Sequence, residues 1–194
     1  MKRLNYILSL VAIIAFTFSA NAQSFKIDNS ASNVTWIGKK VTGSHNGNIK
    51  IKSGSLDFKN SQLSGGTIVI DMTTINTLDL TGQYKGDLEG HLKSDDFFGV
   101  SKFPTAKIVI TKVVPQGPGK YKVTGDLTIK GTTKEIKFIA NLDQSGNSLK
   151  GNADLTVDRS EYDIRYGSGS FFDNLGDKTI YDDFELSVNL VAKK

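Results

Sequence analysis

Apolar and polar side chains alternate with a period of two through most of the chain, and that pattern restricts the fold more than any other feature. "KYKVTGDLTIKG" puts Tyr121, Val123, Gly125, Leu127 and Ile129 on one face. "EIKFIANL" does the same with Ile136, Phe138, Ala140 and Leu142, "SLKGNADLTVD" with Leu149, Gly151, Ala153, Leu155 and Val157, and "DDFELSVNLVA" with Phe184, Leu186, Val188, Leu190 and Ala192. "NVTWIGKKV", "NIKIKSG", "SLDFKN", "GGTIVIDM" and "TAKIVITKVV" precede them. Such runs are strands with one buried face. The breaks expected between them are short and polar: Ser53-Gly54, "NSQLSGG", "PQGPG", "KGTTK" and "QSGN". Connections of that length join antiparallel neighbours. So many strands in one domain must close or stack. The small inward-phase residues Gly125, Ala140, Gly151 and Ala153 either leave a hollow or bend strands at corners, and both alternatives indicate an antiparallel all-β barrel.

One segment departs from the pattern. In "TLDLTGQYKGDLEGHLKS", Leu80, Tyr84, Leu88 and Leu92 recur every fourth residue, a helical stripe. Gly82, Gly86 and Gly90 recur on another face and cost such a helix roughly 1 kcal/mol each. Residues 74–104 are therefore expected to form a helical excursion lying across one barrel end. It closes on "GHLKSDDFFGVSKFP", where Ser94 is expected as an N-cap with Asp95 and Asp96 in the first turn. On a helical turn the rings of Phe97 and Phe98 splay about 100° apart, one into the mouth and one against the outer loop. The segment reads as an aromatic lid rather than an acid cluster, with Pro104 opening the next strand.

The N-terminus reads as a secretory signal peptide over residues 1–22. Lys2 and Arg3 precede an apolar run to Phe18, and Ala20-Asn21-Ala22 supplies a small-x-small cleavage site. The apolar run is short of the ~20 residues that span a bilayer, so no transmembrane segment is expected in the mature chain, residues 23–194. Beyond residue 22 the chain holds 22 basic and 20 acidic residues, a net +2, and no basic run with interleaved aromatics, so no nucleic-acid partner is expected. The absence of cysteine excludes disulfides and thiolate metal sites. With only His45 and His91 as nitrogen ligands, neither a metal site nor a cofactor is expected. Each histidine is either a packed, satisfied side chain or a contact to a ligand's polar head. Asp158-Arg159 is expected to form an ion pair or close the barrel end, with phosphate binding as the functional alternative. "YGSGS" lacks the strand-turn-helix context of a serine nucleophile and reads as a loop.

"GHLKSDDFFGVSKFPTA" closely resembles the hallmark of the YceI-like family, exported lipocalin-like barrels associated with polyisoprenoid binding. "SHNGNIKIKSGSLDF", "GGTIVIDMTTINT", "VTGDLTIKGTTKEIKF" and "VDRSEYDIRYG" resemble further family segments in order, so the likeness covers residues 24–192. The resemblance implies an antiparallel eight-stranded barrel around an apolar tunnel for a long isoprenoid chain, with no catalytic chemistry. Trp36 stands where the family usually has phenylalanine, and a larger ring there would narrow the tunnel.

The residues expected to line the interior are Trp36, Ile68, Ile70, Ile108, Ile110, Val123, Leu127, Phe138, Leu155, Leu186 and Val188. His91, Phe97, Phe98 and Arg159 are the candidate ligand contacts at the lid. The alternative is an ordinary filled core made of the same wall. The expected function is non-catalytic binding or carriage of a polyprenyl, quinone-like or other long-chain lipid, in the periplasm or secreted. A rival is an enzyme acting on the bound isoprenoid through His91 and Asp96. A transmembrane barrel is disfavoured because Lys107, Lys122, Lys130, Lys137 and Lys150 would then crowd a narrow lumen. Exposed aromatics among the residues around Phe97 would also suit a homodimer contact.

Overall fold

The computed structural model describes residues 22–194; the expected signal peptide lies outside the described residues but for Ala22. Nine strands form in chain order: β1 Ala22–Ile27, β2 Asn33–Lys40, β3 Gly43–Lys59, β4 Gln62–Thr77, β5 Thr105–Gly117, β6 Lys120–Ile129, β7 Thr132–Ser145, β8 Ser148–Asp158 and β9 Ile180–Lys193. Among the described residues a single α-helix, α1 Gly82–Lys93, stands between β4 and β5. Every pairing is antiparallel.

The sheet closes on itself as an eight-stranded barrel. Its order is β1-β3-β2-β9-β8-β7-β6-β5-β4, and β4 returns to β3. Nine strands fill eight positions because β1 and β2 follow each other in the same direction, each between β3 and β9. Asp28 makes the break between them: its Oδ1 accepts from the N–H of Ser30 and of Ala31 and from Ser30 Oγ. These bonds, with Lys193 at 3.1 Å, lower its pKa to about 2.

One expected break is not a turn, and another is shorter than expected. Ser53-Gly54 lies inside β3, beside a register shift, and a Cβ at Gly54 would sit 2.7 Å from the Thr67 carbonyl. Of "NSQLSGG", only Asn60 and Ser61 form the turn, both with positive φ, as a tight hairpin requires. The small inward residues divide in role. Gly125 sits at a β5–β6 register shift with Ile108 packed over it, and Leu142 covers Gly151. Ala140 and Ala153 border the interior space.

The barrel's two ends differ. At one, Phe25, Phe58, Tyr121 and Leu149 are buried, the two phenylalanine rings meeting edge-on at 5.3 Å. Over the other lie α1, the turns after it, and the loop that follows β8. The excursion starts at residue 78 rather than 74, because β4 continues to Thr77.

Candidate functional site

The inward faces do not meet in the middle. They enclose a cavity of about 280 Å³. Its wall carries Trp36, Ile68, Ile70, Ile108, Ile110, Val123, Leu127, Phe138, Leu155, Leu186 and Val188, with His91, Phe97, Phe98 and Arg159 at the lid end. The same wall includes residues not anticipated. Phe184 and Leu190 share the strand phase of Leu186 and Val188, so alternation alone points to them. Met72 ends the apolar run "GGTIVIDM", and Ile75 falls within the segment expected as the helical excursion; both lie on β4. Outside, Lys122, Lys137 and Lys150 are exposed, so apolar faces turn inward and charged ones outward, the reverse of a transmembrane barrel. Among the described residues no helix is long and apolar enough to cross a membrane.

Trp36 is accommodated by what lies opposite. It pairs directly with Gly47, and a Cβ at Gly47 would come within 2.4 Å of the indole. The ring thus lies against bare backbone, with Nε1 donating to the Asn48 carbonyl at 3.3 Å. Glycine at position 47 takes up part of the bulk that a tryptophan adds to the tunnel.

The lid is held by polar ties above an apolar underside. Glu89 Oε1 accepts from the Thr77 N–H at 2.8 Å, and Lys85 Nζ donates to Asn76 Oδ1 at 2.8 Å. Leu88 and Leu92 face the cavity, whereas Tyr84 is 77 % exposed, so the expected four-residue stripe is only half used. Ser94 is the C-cap of α1, not an N-cap. Its N–H and Oγ both donate to the His91 carbonyl, and its own carbonyl accepts from Phe97 and Gly99. The chain therefore reverses at Ser94 instead of starting a helix. That reversal sends both phenylalanine rings inward, 5.2 Å apart and edge-on, rather than one in and one out. Phe97 is 7 % exposed, which removes it as a dimer contact. Asp95 pairs with Lys102 at 2.6 Å on the surface, and Asp96 is exposed.

Arg159 is 2 % exposed, and its guanidinium serves the protein itself. Nε donates to the Tyr181 carbonyl, Nη1 to those of Ile164 and Tyr166, and Nη2 to that of Ile180. Nη2 also lies 3.2 Å from Asp182 Oδ1, an ion pair without hydrogen-bond geometry, for that oxygen has no hydrogen-bond partner. Asp158 is not its ion-pair partner: that carboxylate caps the 3₁₀ turn Arg159–Tyr162 through Ser160. Burial pulls the Arg159 pKa down, opposed by Asp182 and Asp158. The guanidinium carbon lies over the Phe97 ring, 5.3 Å from its centroid, a cation–π contact. Arg159 thus binds the post-β8 loop together and supports the lid aromatics, with four of its N–H groups taken by backbone carbonyls and Asp182 beside it, so the guanidinium serves the loop and not a phosphate.

His91 packs edge-on against Tyr166 at 4.3 Å and Phe97 at 5.6 Å, and its Nε2 is buried without a hydrogen-bond partner. His45 instead pairs with Asp79 at 2.8 Å. Burial pushes the Asp79 carboxyl up, but hydrogen bonds from the Asn46 N–H and from His45 outweigh it and lower its pKa. At the 3₁₀ turn after β8, burial first and then Glu161 and Asp158 push the Tyr162 hydroxyl up to about 12.

A family model described as a YceI-like domain matches residues 25–192. A UPF0312 protein of Vibrio campbellii is 36% identical over 155 residues, 76% of this chain and 77% of that one. A UPF0312 protein of Vibrio cholerae is 31% identical over 186 residues, 89% of this chain and 95% of its own. Among solved structures, Burkholderia cenocepacia BcnA superposes with a TM-score of 0.71 at 23% identity, covering 86% of this chain and 99% of that one. A polyisoprenoid-binding domain from Saccharophagus degradans superposes at 0.66 with 14% identity, covering 87% and 97%. These two likenesses concern the fold. With the family model spanning nearly all of the barrel, the chain belongs to the YceI-like family.

Proposed function

We propose that the protein binds and carries a long isoprenoid lipid, polyprenyl or quinone-like, without catalysis and outside the cytoplasm after loss of residues 1–22. The observation that carries this reading is the apolar cavity of about 280 Å³, walled by aliphatic and aromatic side chains and capped by two phenylalanines. Each prenyl carbon moved from water into such a lining gains roughly 0.8 kcal/mol, less the cost of ordering the chain. A slender hydrocarbon fits an eight-stranded barrel better than a compact polar substrate. The Saccharophagus degradans domain, of similar fold, carries polyisoprenoid binding in its description.

The enzymatic alternative needs His91 and Asp96 to act as a pair. Among the described residues no hydrogen bond joins them, and Asp96 points to solvent while His91 packs between aromatic rings. Geometry therefore favours binding. The chain has one tryptophan, Trp36, and it lines the cavity, so its fluorescence reports occupancy directly. Native mass spectrometry of protein from its own host should reveal a co-purifying isoprenoid, and delipidated protein should change Trp36 emission on adding a polyprenol. A bare protein with unresponsive fluorescence would overturn the reading. His91→Ala should leave any turnover assay at background.

A further inference from the structure

The seam between β7 and β8 is only half closed. Its ladder runs from Ser145↔Ser148 to Ala140↔Ala153 and stops. Both strands continue past that point. β7 stays paired with β6 back to Thr132, and β8 stays paired with β9 as far as Asp158. Residues 132–139 and 154–158 therefore form two edges with no ladder between them. No side-chain bond crosses the gap among the described residues: Asp154 accepts from Ser187 on β9, and Lys137 pairs with Glu135 on its own strand. The opening is framed instead. Asn141 Nδ2 donates to Asn152 Oδ1 at its lower margin, and Lys130 Nζ donates to the Asp163 carbonyl at its upper one.

The residues on the two edges explain why it stays open. Extending the register would set Glu135 opposite Asp158 and Ile139 opposite Asp154. Like charges, or an aliphatic side chain facing a carboxylate, destabilise a cross-strand pair. Charges at Glu135, Lys137 and Asp154 also blunt these edges against pairing with another chain. Behind the gap Phe138, Ala153 and Leu155 line the cavity, and Ile139 stands 39 % exposed at the rim.

We propose that this gap is a lateral portal, through which the hydrocarbon chain of a lipid slides between Phe138 and Leu155 while the lid stays shut. The proposal rests on the lipid-binding reading above. Lifting the lid would break the Glu89–Thr77 and Lys85–Asn76 hydrogen bonds and disturb the Arg159 cradle. Passage through the gap breaks no protein hydrogen bond.

The chain lacks cysteine, so introduced thiols are unambiguous. Ile139→Cys with Asp154→Cys, bridged by a short bifunctional thiol reagent, staples the gap. Lys85→Cys with Asn76→Cys staples the lid. Stopped-flow fluorescence with anthraniloyl-farnesol should show the gap staple slowing entry and release about tenfold or more at nearly constant Kd, and the lid staple leaving both rates unchanged. A bulky maleimide adduct on exposed Thr156→Cys should act like the gap staple and needs no bridge to form. Unchanged rates with the gap staple or adduct, on a chain that still binds the probe, overturn the portal and spare the lipid reading. Failure of the unmodified chain to bind any probe overturns both.

Discussion

The two ends of this barrel are closed by different physics. The end built from β1 and the β3–β4 hairpin is plugged by side chains in contact, with Phe25 at 0 % exposure against Phe58. The other is roofed by an excursion whose helix buries no residue completely and is held by hydrogen bonds and one arginine. Close packing resists opening because every parted contact is lost at once, whereas polar ties exchange with water at small net cost. One end thus behaves as part of the core and the other as a cover fitted over a hollow. The difference indicates where the molecule stores stability and where it can give.

Four measurements press on that contrast. The largest effect belongs to the plugged end: Phe25→Ala should cost about 3–5 kcal/mol in urea unfolding while polyprenol affinity holds. A loss of affinity with little loss of stability would mean that this end, too, contacts the ligand. At the covered end, Arg159→Lys should cost about 2–3 kcal/mol, since an ammonium cannot satisfy four carbonyls and Asp182 together. It should also loosen Phe97, visible as faster amide exchange across residues 94–103. Next, Gly86→Ala and Gly90→Ala should each stabilise by up to about 1 kcal/mol, because a Cβ at either site meets nothing within 4 Å. Destabilisation by either would show that these glycines serve a close approach. The smallest effect is Asp28, on the flank of the plugged end. Its pKa is lowered to about 2 from an ordinary 3.8, so its contribution is present above the ordinary value and lost as pH falls through about 2. Carboxyl NMR should place the midpoint there, and Ser30→Ala should move it upward.

Much of the wall was legible because alternation carries its own orientation: once Leu186 is inward, Val188 must be as well. The positions that escaped are those where a strand ran past an apparent stop. Ser53-Gly54 looks like a turn and is a register shift, and Ile75 looks like the beginning of the helix and is still strand. The lid was harder to read. Ser94 followed by two aspartates has the composition of a helix start, yet Ser94 finishes a helix and the aspartates follow it, since the destination of a hydrogen bond depends on what lies beside it in space.

By itself the sequence determined that the chain alternates, that its breaks are short, and that a helical segment interrupts the strands, because each of these is a property of neighbouring residues. Only the tertiary structure decided that the interior is hollow, that Arg159 is spent on the backbone, and that β7 and β8 part at Ala140 and Ala153. A cavity is the difference between the space that eight strands enclose and the side-chain volume directed into it. That difference is settled only when residues far apart in the chain are brought face to face.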